Sequence, residues 1–241
     1  MPMKGSGTPR LQEIDRWDGG VSWLAYPDEG MQRASHVLAA DPETRDSADS
    51  EAQSGDGEAW VVDPVDAPGV DDLFASVGDV AGVVVCLDRH KRDAAAVARR
   101  HDVPVYLPTW MTGVADDIDA TTERFGRELA DTGYRSLKVV DRSFPPWQEA
   151  ALYHDESGTL VVPEAVGTAE YFCAPGERLG VHPMLRLSPP KRAFRSLDPE
   201  RVLVGHGAGV FEDASTALHE ALDNARARLP AAYARAFRSL I

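Results

Sequence analysis

The sequence predicts an α/β fold with mixed sheets covered by helices, and three observations carry that prediction. Between residues 59 and 107, apolar runs of strand composition alternate with two helical stretches. A β-α-β-α-β order of this kind implies a sheet flanked by helices. The run Gly82-Val83-Val84-Val85-Cys86-Leu87 is continuously apolar, as suits a strand buried on both faces. Beyond residue 137 the pattern is mostly strand, then a long helical stretch closes the chain.

The elements follow in order. Residues 1–16 are polar and read as an N-terminal arm, with residues 17–241 forming a single domain. Residues 21–26 and 35–40 have strand composition around a turn at Pro27 to Gly30. Residues 41–58 are rich in Asp, Glu, Ser and Gly. They lack the apolar surface needed to pack, so they read as an exposed acidic loop insertion. Strand 59–63 is closed by Pro64, and helix 70–77, strand 82–87, helix 89–101 and strand 103–107 follow. Ile118, Thr121, Phe125 and Leu129 recur at helical spacing and predict a helix over 117–131. Strands are expected at 137–140, 150–154 and 159–162, the last two joined as a hairpin by Ser157-Gly158. Strand 201–205 runs into Gly205-His206-Gly207; Asp213 is placed to cap helix 214–228, and Pro230 separates it from a final helical tail.

Composition narrows the function classes. The formal net charge is −14, only four of 25 basic residues are lysine, and aspartate outnumbers glutamate. This balance points to a halophilic, haloarchaeal protein, the alternative being an ordinary acidic cytosolic protein. The Debye length falls to about 3 Å at 1 M salt, so an acidic surface repels itself little and stays hydrated. The same charge argues against nucleic acid, which needs a basic footprint, and against anionic membranes. Cys86 and Cys173 stand far apart in apolar company and read as buried small hydrophobes. With no apolar run near the ~20 residues of a membrane span and no charged-then-apolar leader, the expectation is a cytoplasmic protein.

The most charged junction is Asp88-Arg89-His90-Lys91-Arg92-Asp93, between an apolar run and an alanine-rich stretch. Locally it reads as a helix start, with Asp88 as N-cap and the pairs Asp88–Arg92 and Arg89–Asp93 at i,i+4. Gly205-His206-Gly207 lacks the lysine and full glycine spacing of a phosphate loop. His36, His101 and His219 read as surface or packing residues, His154 as a hairpin-end residue and His182 as a possible pocket rim.

In chain order, several segments resemble the metallo-β-lactamase fold superfamily. They are Trp60-Val61-Val62-Asp63-Pro64, the run 82–87 with its charged packet, Val103-Pro104-Val105-Tyr106, Thr159 to Glu164, and Arg201 to His206. The resemblance implies a four-layer αββα sandwich of mixed sheets with helices on the outer faces. It also implies a zinc loop of pattern His-x-His-x-Asp-His, which in this chain reads Asp88, His90, Arg92 and Asp93. No histidine matches the family's mid-chain ligand near Phe144 to Trp147, Glu164 stands for its bridging Asp, and His206 is kept. A guanidinium has only donors and stays charged, so Arg92 cannot bind zinc but can bridge Asp88, Asp93 or Glu164.

The expected function is therefore a divergent member whose zinc site is largely lost: a non-catalytic scaffold binding a small ligand or a protein partner, with no cofactor. The pocket candidates are Asp88, His90, Arg92, Asp93, Glu164 and His206. The alternative is a hydrolase with a single zinc, manganese or iron ion on His90, Asp93, Glu164 and His206. A metal-free variant would use His90 or His206 as general base and Arg92 as oxyanion partner.

Overall fold

The computed structural model describes Gly5, residues 7–40 and residues 57–239. The expected acidic loop, apart from its last two residues, lies outside the described residues. The chain divides into two compact units, one of them Pro9–Ala25 with Ala34–Ser136.

This first unit is a seven-stranded sheet in sequential order. Strands β1 (Gln12–Trp17), β2 (Gly20–Leu24), β3 (Ala34–Ala39) and β4 (Glu58–Val62) pair antiparallel. Helix α1 (Val70–Ala75), β5 (Asp79–Val84), α2 (Ala94–His101), β6 (Val105–Pro108) and β7 (Thr122–Phe125) follow, and β4 to β7 run parallel. Parallel neighbours need crossovers, which α1 and α2 supply for the first two pairs. Val21, Trp23, Val37, Val61, Val83, Val85, Val105 and Leu107 form one core with Phe74 of α1 and Ala94, Val97 and Ala98 of α2. The alternate positions are those of one sheet face. Trp23 meets Phe74 edge to face at 5.5 Å.

Three expectations are corrected here. Gln12–Trp17 is a strand, not part of a loose arm. Residues 117–131 are not helical: a 3-10 turn, Ala115–Asp117, leads into β7. Thr121 and Thr122 favour extended backbone and Gly126 interrupts the helical run. Helix α2 begins at Ala94, so Asp88 is not its N-cap; Asp93 holds that position without a side-chain cap bond.

The second unit contains Tyr26–Arg33 and Leu137–Ile241. Its sheet has the order β13-β10-β9-β8. The strands are β8 (Tyr134–Ser143), β9 (Pro146–His154), β10 (Thr159–Val162) and β13 (Arg201–Val204). β9 and β10 form the expected hairpin, and β10 runs parallel to β13. A small antiparallel pair, β11 (Val166–Gly167) and β12 (Gly180–Val181), lies between β10 and β13 in sequence. Helices α3 (Lys191–Phe194), α4 (Ala214–Asn224) and α5 (Leu229–Ser239) complete it. Tyr26–Arg33 is held within this unit: Gly207 N donates to Gln32 O at 2.8 Å. Arg33 clasps the buried Glu29 through both carboxylate oxygens, from 2.8 Å.

Candidate functional site

In the first unit the polar groups gather where β4 ends. Asp63 takes a left-handed backbone, φ 46°, which Asp tolerates better than most residues, and Pro64 stops the strand. The Asp63 carboxylate is buried. It accepts from Cys86 N at 2.9 Å and lies 3.0 Å from His90 Nδ1. Burial pushes Asp63 up to about 6, against the opposing pull of the Arg92 guanidinium, the Cys86 amide and His36. His36, expected as a surface or packing residue, is buried on β3, with Nδ1 2.8 Å from Ser22 Oγ on β2.

Arg92 also has left-handed backbone, φ 40°. Its Nη1 donates to the carbonyls of Ala34 at 2.6 Å and Asp63 at 2.8 Å, and its Nη2 lies 3.3 Å from His90 Nε2. Arginine cannot accept, so His90 Nε2 accepts and Nδ1 carries the proton directed at Asp63. His90 is thereby a neutral imidazole held between a carboxylate and a guanidinium. Asp88 pairs with Arg89 at 3.2 Å, and Asp93 Oδ2 accepts from Asp66 N at 2.9 Å. The i,i+4 pairing expected of Asp88 with Arg92 has no helix to support it, because residues 88–93 precede α2.

In the second unit Glu149, on β9, is buried. It accepts from Glu164 N at 2.8 Å, Ala165 N at 2.7 Å and Trp147 Nε1 at 2.8 Å. Burial raises it to about 7 despite these three donors, and the Glu164 charge adds to the rise. Glu149 thus fixes the backbone at Glu164, which follows β10. The Glu164 carboxylate lies 3.5 Å from His182 Nε2. His182 Nδ1 accepts from Met184 N at 3.2 Å, so Nε2 carries its proton and faces Glu164. Trp147, Phe172 and Tyr171 surround the His182 ring, with centroids at 4.9, 5.4 and 5.6 Å.

His206 leaves β13 through Gly205, where a Cβ would fall 2.2 Å from Pro163 O, and is followed by Gly207 at φ 96°. Close approach and a left-handed turn account for both glycines. His206 Nδ1 lies 2.8 Å from Met31 O. A carbonyl only accepts, so Nδ1 carries a proton. Phe172 stacks on the ring at 5.1 Å.

Glu149 escaped the sequence reading, Asp63 appeared there only within a family-like segment and not as a site residue, and His182 appeared only as a rim residue. The available signals were a carboxylate before a strand-ending proline and a charged residue inside an otherwise apolar strand. A catalytic zinc takes three protein ligands. In the first unit the His90 lone pair already accepts from Arg92, and the Asp93 carboxylate is turned to a backbone amide. His90, Glu164 and His206 are three buried groups that could each offer a ligand atom to a metal ion.

No family model matches the sequence, and no curated protein matches it. Solved structures do. The metallo-β-lactamase TMB-1 is 13% identical with a TM-score of 0.57, over 95% of this chain and 100% of that one. DIM-1 metallo-β-lactamase exposed to ceftazidime is 13% identical at 0.54, over 97% and 100%. A fragment (1–254) of diflavin flavoprotein A 5 from Nostoc sp. PCC 7120 is 13% identical at 0.59, over 92% and 99%. At this identity the likeness concerns fold alone: the chain has the metallo-β-lactamase fold, the α/β class expected from its sequence.

Proposed function

We propose that this metallo-β-lactamase-fold chain has exchanged the zinc of its scaffold for a fixed cation, the Arg92 guanidinium. It works as a binding scaffold for a small ligand or a protein partner. The observation that supports this is the 3.3 Å approach of Arg92 Nη2 to His90 Nε2, with Nη1 anchored on two carbonyls. A cation cannot approach a lone pair that already accepts from another cation without displacing it, and Arg92 does not deprotonate. The acidic charge of −14 turns the search for partners away from nucleic acid. Among the described residues no helix is long and apolar enough to cross a membrane.

A single-metal hydrolase using His90, Asp93, Glu164 and His206 is the competing reading. The Nδ1 contacts of His90 to a carboxylate and of His206 to a carbonyl favour it, because metal-ligating histidines are oriented by such bonds.

The test is bound metal, measured by inductively coupled plasma mass spectrometry. The protein is purified in high salt without chelator or metal-affinity tag, then incubated with excess zinc. Metal at background supports the arginine-substituted scaffold. Near-stoichiometric zinc, manganese or iron that disappears in His206→Ala overturns it in favour of the hydrolase.

A further inference from the structure

The second unit carries a groove that contains none of the candidate site residues discussed above. It lies between the loop Gly176 to Leu179 and helix α4, and holds about 250 Å³ of water-accessible space. Leu179, Ala217 and Ala221 give it an apolar floor, all three buried. Thr216, Glu220 and Asn224 stand at four-residue intervals along α4 and form one polar wall.

The charges in the groove are not equivalent. Glu177 is neutralised from below by the fully buried Arg186, through bonds of 3.0 and 2.5 Å. Arg178 is drawn off to the carbonyl of Glu212 and lies 3.9 Å from Asp213. Among the described residues Arg228 spends a single Nη1 hydrogen, at 3.1 Å, on Pro175 O, and so keeps other donors of its fork there. The Glu220 carboxylate lies on the exposed side of α4 in the same groove. Besides the Arg178–Asp213 pair, the groove offers the Glu220 carboxylate and the Arg228 guanidinium across an apolar floor. Residues 220 and 228 would be separated by about 12 Å of rise were the helix continuous.

We propose that this groove is a binding site for small zwitterions of amino-acid or dipeptide type. Glu220 takes the ammonium group, Arg228 takes the carboxylate, and a short apolar side chain rests on Leu179, Ala217 and Ala221. The volume supports that size class, because sites for drug-sized ligands run from about 300 to 1,000 Å³. A bidentate guanidinium–carboxylate contact gives the orientation.

The probe is glycyl-leucine, added to the full chain at constant salt and followed by amide chemical shifts of α4 and by calorimetry. N-acetyl-glycyl-leucine and glycyl-leucinamide are the controls. Saturable binding is expected, with each blocked peptide at least about tenfold weaker. Glu220→Gln should abolish the preference over the N-acetyl form alone, and Arg228→Gln the preference over the amide alone. Both positions are exposed, and an unchanged melting temperature checks that the variants fold. No saturable shift in α4, or binding indifferent to both substitutions, overturns the proposal. The groove shares no residue with the His90–Arg92 network, so this result and the metal measurement stand or fall separately.

Discussion

Replacing Arg92 by methionine keeps the aliphatic stem but removes at least three hydrogen bonds: two to carbonyls at 2.6 and 2.8 Å, and one to His90 at 3.3 Å. Hydrogen bonds to charged groups contribute about 1.5–3 kcal/mol each. The side chain is only partly buried, so solvent screening discounts the sum, to roughly 2–3 kcal/mol. A second effect depends on pH. Asp63 sits near 6 in the folded protein against 3.8 when unfolded, and Arg92 is the largest influence opposing its burial. A carboxylate raised on folding stabilises the native state below its unfolded value. That contribution is lost as pH rises through the folded value. Without Arg92 the folded value climbs further, so ionising Asp63 costs more, roughly another 1–2 kcal/mol at pH 8. The assay is denaturant unfolding of wild type, Arg92→Met and Arg92→Lys at pH 5 and pH 8, at one fixed salt concentration. Arg92→Met should lose more at pH 8 than at pH 5, and the lysine variant should recover part of the difference. Equal losses at the two pH values, or a total below about 0.5 kcal/mol, would refute the assignment of Arg92 as the cation of this network.

Two further outcomes are expected. Glu149, near 7 when folded against 4.5 unfolded, should make stability fall as pH rises from 4.5 through 7, by on the order of 3 kcal/mol. Glu149→Gln should flatten that slope in melting experiments, and an unaltered slope would show that another group titrates there. Gly205→Ala puts a Cβ 2.2 Å from Pro163 O. It should cost about 1–3 kcal/mol, visible as a lower unfolding midpoint; an unchanged midpoint would mean that β13 shifts freely.

Local pattern determined much of this protein before any coordinates were considered. The valine run 82–87, the flanking apolar runs and the Ser157-Gly158 turn specified strands, crossovers and a hairpin, because period and turn chemistry act over a few residues. Gly205 and Gly207 frame a histidine that is buried at the end of β13. The same locality misled at 117–131, where apolar spacing imitated a helix, and at Asp88, whose capping chemistry went unused.

Tertiary structure alone decided the polar site. Asp63 and Cys86, or Glu149 and Glu164, meet only because separate strands end at the same level of a sheet. Burial then moves the carboxylates. The sequence marked Arg92 as the residue standing in a ligand position. The hydrogen bonds described for its guanidinium run to two main-chain carbonyls and an imidazole. Which acceptors a guanidinium reaches depends on the left-handed turn at residue 92 and on where β3 and β4 end, and no spacing rule along one chain encodes that meeting.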